Sequence, residues 1–224
     1  MNKIVGIFLN NYYLLLAFYV LVALLVIFLI IIIKHNVVGI FHEASIFRRL
    51  KNLYKKYDYP YINEIILPIN KESYAYYDAI VFGDKFVYLI EIKNHNGNLL
   101  IDPLDDWQYI KKNKQSFSFM NPFYELELKK HILNRFMEID KNRYIEIVVY
   151  NNSTIINGKK GKNHLVAANQ LNSLIRHYES MDNIQKFSPD FIEKKGNYIL
   201  GINIKKRSIR KSVISDLKLQ HSKR

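Results

Sequence analysis

Apolar and polar positions along this chain follow three patterns, and each predicts a different kind of element. From Tyr12 to Ile33 no charged side chain occurs over 22 positions. At about 1.5 Å of rise per residue, such a helix crosses a hydrocarbon layer of about 30 Å. The pattern predicts a transmembrane span over 12–33 after a short N-terminus, 1–11. A cleaved signal peptide would instead carry an apolar region of about 7 to 15 residues and a small-residue cleavage site. Lys34-His35-Asn36 is no such site. Over 34–57 the apolar residues Ile40, Phe41, Ala44, Phe47, Leu50 and Tyr54 recur every three or four positions, which predicts an amphipathic helix with a basic solvent face.

From residue 58 the period changes to that of strands. Asn63 to Ile69 and Tyr74 to Phe82 read as the first two strands. Gly83-Asp84-Lys85 turns the chain into Phe86 to Lys93, a run rich in β-branched and aromatic residues that suits a central strand covered on both faces. Asn98 to Ile101 is a shorter strand, and Trp107 to Phe119 a hairpin arm followed by a basic loop with Lys111, Lys112 and Lys114. Trp107 is expected in the core. Asn121-Pro122 opens a helix, because Asn caps well and Pro fits the first turn. Its apolar face is Phe123, Leu126, Ile132, Leu133 and Phe136, with Glu125, Glu127, Lys129 and Lys130 expected in solvent. Tyr144 to Tyr150 then makes a crossover with the central strand. Asn151 to Asn163 reads as a loop, His164 to Ala168 as a last core strand, and Asn169 as the cap of a helix ending at Glu179. In the extension 181–224 a short strand is expected at Ile199 to Ile204 and a basic helix at Ser208 to Leu219.

Charge gives the span a direction. Lys3 alone precedes it, whereas Lys34, Arg48, Arg49, Lys51, Lys55 and Lys56 follow closely. The positive-inside bias then predicts a single-pass protein of the cell membrane, its N-terminus outside and its C-terminal domain cytoplasmic. The formal net charge is +13, and residues 194–224 carry ten Lys or Arg against one acid, Asp216. Such a surface suits phosphates, whether of nucleic acid or of anionic lipid. With no cysteine, disulfides and thiolate metal sites are excluded. There is also no phosphate-cradling Gly-rich loop, no His-Glu-x-x-His and no Gly-x-Ser-x-Gly.

What chemistry there is gathers on two strands. Glu91 and Lys93 share a face of one strand while Ile92 points the other way, and Asp78 starts the apolar run of the strand before. A lone Glu-x-Lys is most often a surface ion pair worth about 0 to 1 kcal/mol. Here it sits thirteen residues after Asp78 and runs into Asn94-His95-Asn96-Gly97. With Trp107 and Asn121-Pro122 downstream, this arrangement resembles the nuclease-related domain, NERD, of the PD-(D/E)xK superfamily, over roughly residues 40 to 180. Ala79, Phe86 and Glu125 depart from that pattern, which has His, Gly and Gln there.

The resemblance implies a restriction-endonuclease-like α/β fold, a mixed sheet flanked by helices, occupying 58–180 behind the transmembrane helix. It also implies a Mg²⁺ or Mn²⁺ ion held by Asp78, Glu91 and the main-chain oxygen of Ile92, with Lys93 orienting water or stabilising phosphoryl charge. Glu43, the acid of the amphipathic helix, is the candidate to join that site; an ordinary surface Glu is the plain reading. The expected activity is phosphodiester hydrolysis of DNA or RNA. The alternatives are a non-catalytic tether that binds nucleic acid or a protein at the membrane, and a structural protein using its basic face on lipid. An open cleft at Asp78, Glu91 and Lys93 favours the nuclease, and a Lys93 locked in a buried pair favours the tether.

Overall fold

The computed structural model describes the backbone over residues 2–94, 97–111, 114–159, 161 and 164–222, and their side chains except within 2–14, 29–43 and 217–222. In chain order the elements are α1 (Asn2–Tyr57), β1 (Tyr61–Pro68), β2 (Tyr74–Phe82), β3 (Val87–Lys93), β4 (Asn98–Ile101), β5 (Trp107–Ile110), β6 (Ser116–Phe119), α2 (Pro122–Met137), β7 (Tyr144–Tyr150), β8 (Ile155–Gly158), β9 (His164–Ala167), α3 (Leu171–Glu179), α4 (Pro189–Ile202) and α5 (Arg207–Ser222). The chain divides into two units, Met1–Ala44 and Ser45–Arg224.

The first unit is the helical stretch of α1 up to Ala44. Its described apolar side chains, from Leu15 to Phe28, are exposed. Among the described residues no helix is long and apolar enough to cross a membrane. The span expected over 12–33 extends past the described side chains at both ends, and Glu43 also lies outside them.

In the second unit β3 is the middle strand of a five-stranded mixed sheet, ordered β1-β2-β3-β7-β9. The antiparallel hairpin of β2 and β3 forms as expected, with Gly83 N–H donating to Phe86 O at 2.9 Å. β3 then pairs with β7 in parallel, Leu89 opposite Glu146, so the crossover expected from the strand and helix spacing is present. One face of the sheet packs Ile80, Leu89 and Val148 with Leu126, Leu133 and Met137 of α2 and Ile199 of α4. The other packs Ala79, Tyr88 and Ile147 with Ile46, Leu50 and Leu53 of α1 and Leu171 and Ile175 of α3. This is an α/β fold with a mixed sheet between helices.

Several local expectations are corrected. A second sheet, β6-β5-β4-β8, uses Ile155–Gly158 from the stretch expected to be loop: β8 lies parallel to β4, with Ile155 opposite Asn98. The basic loop lies between β5 and β6 rather than after them. β9 is an edge strand of intermediate burial, not a core strand. The N-cap of α3 is Gln170, not Asn169, and makes no side-chain cap bond. The strand expected at Ile199 to Ile204 is the end of α4, because Ser188 caps that helix through Phe191 N–H and Pro189 starts it. Among the described residues of α1 the buried positions are Ile46, Leu50 and Leu53, while Tyr54 is exposed. Trp107 is buried as expected, its Nε1–H donating to Asp102 O at 2.9 Å.

Candidate active site

Asp78, Glu91 and Lys93 come together through a break in the hairpin. The ladder between β2 and β3 runs from Phe82↔Val87 to Ala79↔Ile90 and stops one residue short of Asp78. There the Asp78 carboxylate takes over from the backbone: Ile92 N–H donates to Asp78 Oδ2 at 2.7 Å. On the neighbouring edge strand, Glu64 has a left-handed φ of 51°, an uncommon conformation for a residue with a side chain. Glu91 and Lys93 share a face of β3, as alternation requires, and Lys93 Nζ lies 2.8 Å from Glu91 Oε1. Each is only 6% exposed.

A third element completes the cluster. Lys129 of α2 places its ammonium 2.7 Å from Glu91 Oε2 and 2.7 Å from Glu125 Oε1. It is 6% exposed, although the sequence placed it in solvent. The correction has a simple cause. Pro122, Leu126, Lys129, Leu133 and Met137 are all buried on α2, at spacings of four, three, four and four. Lys129 therefore occupies the middle of the stripe that faces the sheet. The signal was present in the spacing but was overridden by residue type. Tyr77 anchors the same residue by its backbone, its hydroxyl donating to Lys129 O at 2.8 Å. Glu125, at i−4, lies on the same side of the helix.

Lys93, Glu91, Lys129 and Glu125 form a line of alternating charges. Burial would raise the Glu91 carboxyl, but the ammonium groups of Lys129 and Lys93 outweigh it and pull the pKa down to about 2. Burial would likewise lower both lysines, and in each the carboxylates win, Glu91 foremost, so both are raised. Asp78 behaves in the opposite way. Desolvation, then repulsion from Glu91, pushes it up to about 7 despite Lys129, Lys93 and the Ile92 N–H. The charges explain the difference: Glu91 and Glu125 balance Lys93 and Lys129, and among the described residues Asp78 has no ion pair of its own.

That uncompensated carboxylate bears on whether a divalent cation fits. Mg²⁺ is typically held by one or two carboxylates with waters and substrate oxygens. Asp78 and Glu91 are of that type, and the site carries room for added positive charge. Among the described residues no group of three or more His, Cys, Asp and Glu side chains has the arrangement of a full protein cage. Asp78 and Glu91 are two carboxylates of the type that a cation completed by waters and substrate oxygens uses.

The surroundings hold the site's margins. Asn151 Nδ2–H donates to Asn94 Oδ1 at 3.2 Å just past the ends of β7 and β3. A side chain at Gly97 would bring a Cβ within 2.6 Å of Ile110 O, so only glycine allows that approach. His95 and Asn96, between them, lie outside the described residues. A separate cleft of about 520 Å³, lined by Tyr54, Tyr61, Phe82 and Phe187 among others, includes none of the charged cluster.

A family model described as the nuclease-related domain matches residues 38–151, a stretch that contains Asp78, Glu91, Lys93, Glu125 and Lys129. The comparisons with curated proteins and with solved structures return no match. The matched stretch is just over half of the chain, and the chain belongs to the nuclease-related domain (NERD) family.

Proposed function

We propose that this protein is a membrane-anchored, metal-dependent nuclease that hydrolyses phosphodiesters of DNA or RNA at Asp78, Glu91 and Lys93. The observation that carries the reading is the convergence of those three side chains from β2 and β3 within a nuclease-related domain. Asp78, Glu91 and the main-chain oxygen of Ile92 would hold Mg²⁺ or Mn²⁺, which supplies charge neutralisation at the phosphate and a more acidic bound water. The chain's own groups do the positioning. The Ile92 N–H fixes the Asp78 carboxylate, and Lys93 presents a fixed positive charge beside it. A preorganised ammonium in a water-poor site stabilises developing phosphoryl charge far more than it would in bulk water.

The anchor in this reading is the apolar helix over 12–33, with the nuclease-related domain on the cytoplasmic side, supported by the Lys and Arg that follow the span. Nucleic acid is the proposed partner, attracted by a net charge of +13.

A second reading has its own observation. Lys93 and Glu91 are each 6% exposed and paired with each other, a lysine held in a buried pair. A tether that binds nucleic acid without cutting it would look like this. The two readings separate in a cleavage assay on the full chain in detergent micelles, with labelled DNA and RNA and Mg²⁺ or Mn²⁺. The nuclease reading expects cutting that chelation stops and that Asp78→Asn and Lys93→Met each reduce by about a hundredfold or more. Binding of equal strength in all three forms with no cutting leaves the tether.

A further inference from the structure

Two ammonium groups meet on Glu91, where the chemistry proposed above uses one. Each Glu91 oxygen is held, Oε1 by Lys93 and Oε2 by Lys129. The two lysines are not equivalent. Among the described residues Lys93 has an ion pair with Glu91 alone, whereas Lys129 also lies 2.7 Å from Glu125, whose side chain is 22% exposed. The backbone of Lys129 is fixed by the Tyr77 hydroxyl and by the packing of Leu126 and Leu133, so only its flexible side chain is free to exchange partners. The alternative to an exchange is severe, since a carboxylate or ammonium stripped of its partner in a buried site is strongly destabilising.

We propose that Lys129 is the resident counter-ion of this site. In the metal-free protein its ammonium neutralises Glu91; when a divalent cation takes that carboxylate, Lys129 releases it and stays on Glu125. Glu125 is then a positioning residue that gives the displaced ammonium a partner. The exchange rests on the metal-dependent reading of Asp78 and Glu91. It accounts for the closed arrangement of the cluster without making Lys93 leave it. Lys129 and the metal compete for one carboxylate, so the lysine sets how tightly the site takes metal.

The test uses Mn²⁺ as the probe, its free concentration read by electron paramagnetic resonance, with the full chain in detergent micelles. Lys129→Met should tighten Mn²⁺ binding at least tenfold, because a competing cation is gone. Glu125→Gln should weaken it several-fold, because the displaced ammonium loses its second partner. Both variants break the same ion pair, so a purely structural role would move them in the same direction. A second measurement needs no substitution: acetylation of lysines in the unaltered chain, read by mass spectrometry. Lys129 should be protected in chelator and react faster at saturating Mn²⁺. Unchanged Lys129 labelling on Mn²⁺ binding, or Lys129→Met binding Mn²⁺ no tighter than the parent, overturns the exchange alone. If the parent and both variants take up no Mn²⁺, the exchange and the metal-dependent reading both fall.

Discussion

At the scale of single residues the site is a problem in charge balance, and Asp78 is where the balance is incomplete. Its pKa is pushed up to about 7 by desolvation and by Glu91, so folding favours its protonated form. A carboxyl raised in the folded state destabilises as pH climbs from the ordinary carboxylate range to its folded value. For Asp78 that window runs from about pH 4 to about pH 7. Glu91 has the opposite sign: pulled down to about 2, it contributes stability that is lost only as pH falls from about 4 towards 2. In chelator, Asp78→Asn should therefore gain stability over the parent by about 2–3 kcal/mol between pH 5 and pH 8, at about 1.4 kcal/mol per pKa unit. Denaturant titrations of both proteins at the two pH values measure this. A difference that does not change with pH would mean that Asp78 has a partner charge after all. Saturating Mg²⁺ should erase the gain in the variant's favour, because the metal stabilises only the ionised parent.

The elements differ in how much of them was legible beforehand, and α2 shows both extremes. Its start was readable because Asn121-Pro122 has a local meaning: Asn121 Oδ1 accepts from Phe123 N–H at 3.0 Å, as a cap should. The second role of Asn121 was not readable. It is 1% exposed, and its Nδ2 donates to Asp102 O at 3.1 Å and Pro103 O at 3.3 Å, tying the helix to the loop after β4. Such contacts join residues that are distant in sequence, and no periodicity encodes them. Lys129 teaches a related lesson, since its place in the apolar stripe was visible while the carboxylates waiting for it on β3 and α2 were not. β8 went unseen because a four-residue edge strand reading Ile-Ile-Asn-Gly, inside a polar stretch, is too short to show alternation. By contrast Asp78, Glu91 and Lys93 were legible, because they belong to one hairpin whose register follows from its turn. The double role of Asn121 makes a prediction. Asn121→Ala should cost about 2 kcal/mol: about 1 for the cap and about 1 for the lost bonds to the Asp102 and Pro103 carbonyls, since Asp102 O keeps the Trp107 Nε1–H as a donor. Asn121→Ser restores a capping oxygen, so it should recover about 1 kcal/mol and no more. Equal losses in the two variants would place the whole contribution in the bonds to Asp102 and Pro103.

For the whole molecule the question is whether the proposed membrane anchor is one, and two features bear on it. Consecutive residues of α1 from Leu15 to Phe28 are apolar and exposed on every side of the helix. A helix that is apolar all round has no solvent face, the pattern of a membrane span or of a helix buried in a larger protein. The other feature is charge: +13 overall, with Arg48, Arg49, Lys51, Lys55 and Lys56 on α1 and a basic α5. Each Lys or Arg near an anionic surface contributes on the order of 1 kcal/mol, enough in sum to hold a protein without any span. Salt distinguishes them. At 1 M ionic strength the screening length is about 3 Å, so the electrostatic contribution collapses while burial of hydrocarbon does not. The proposed anchor predicts that the full chain stays in the membrane pellet through washes in 1 M salt and in alkaline carbonate, and leaves only with detergent. Release by salt alone would make the basic surface the attachment and the apolar helix something other than a span. Under the proposed anchor the same salt series should still strip nucleic acid from the protein, with the logarithm of affinity falling linearly with that of salt concentration. A protein retained in the membrane while its nucleic acid is lost would assign the two features to two partners, the helix to lipid and the charge to phosphate.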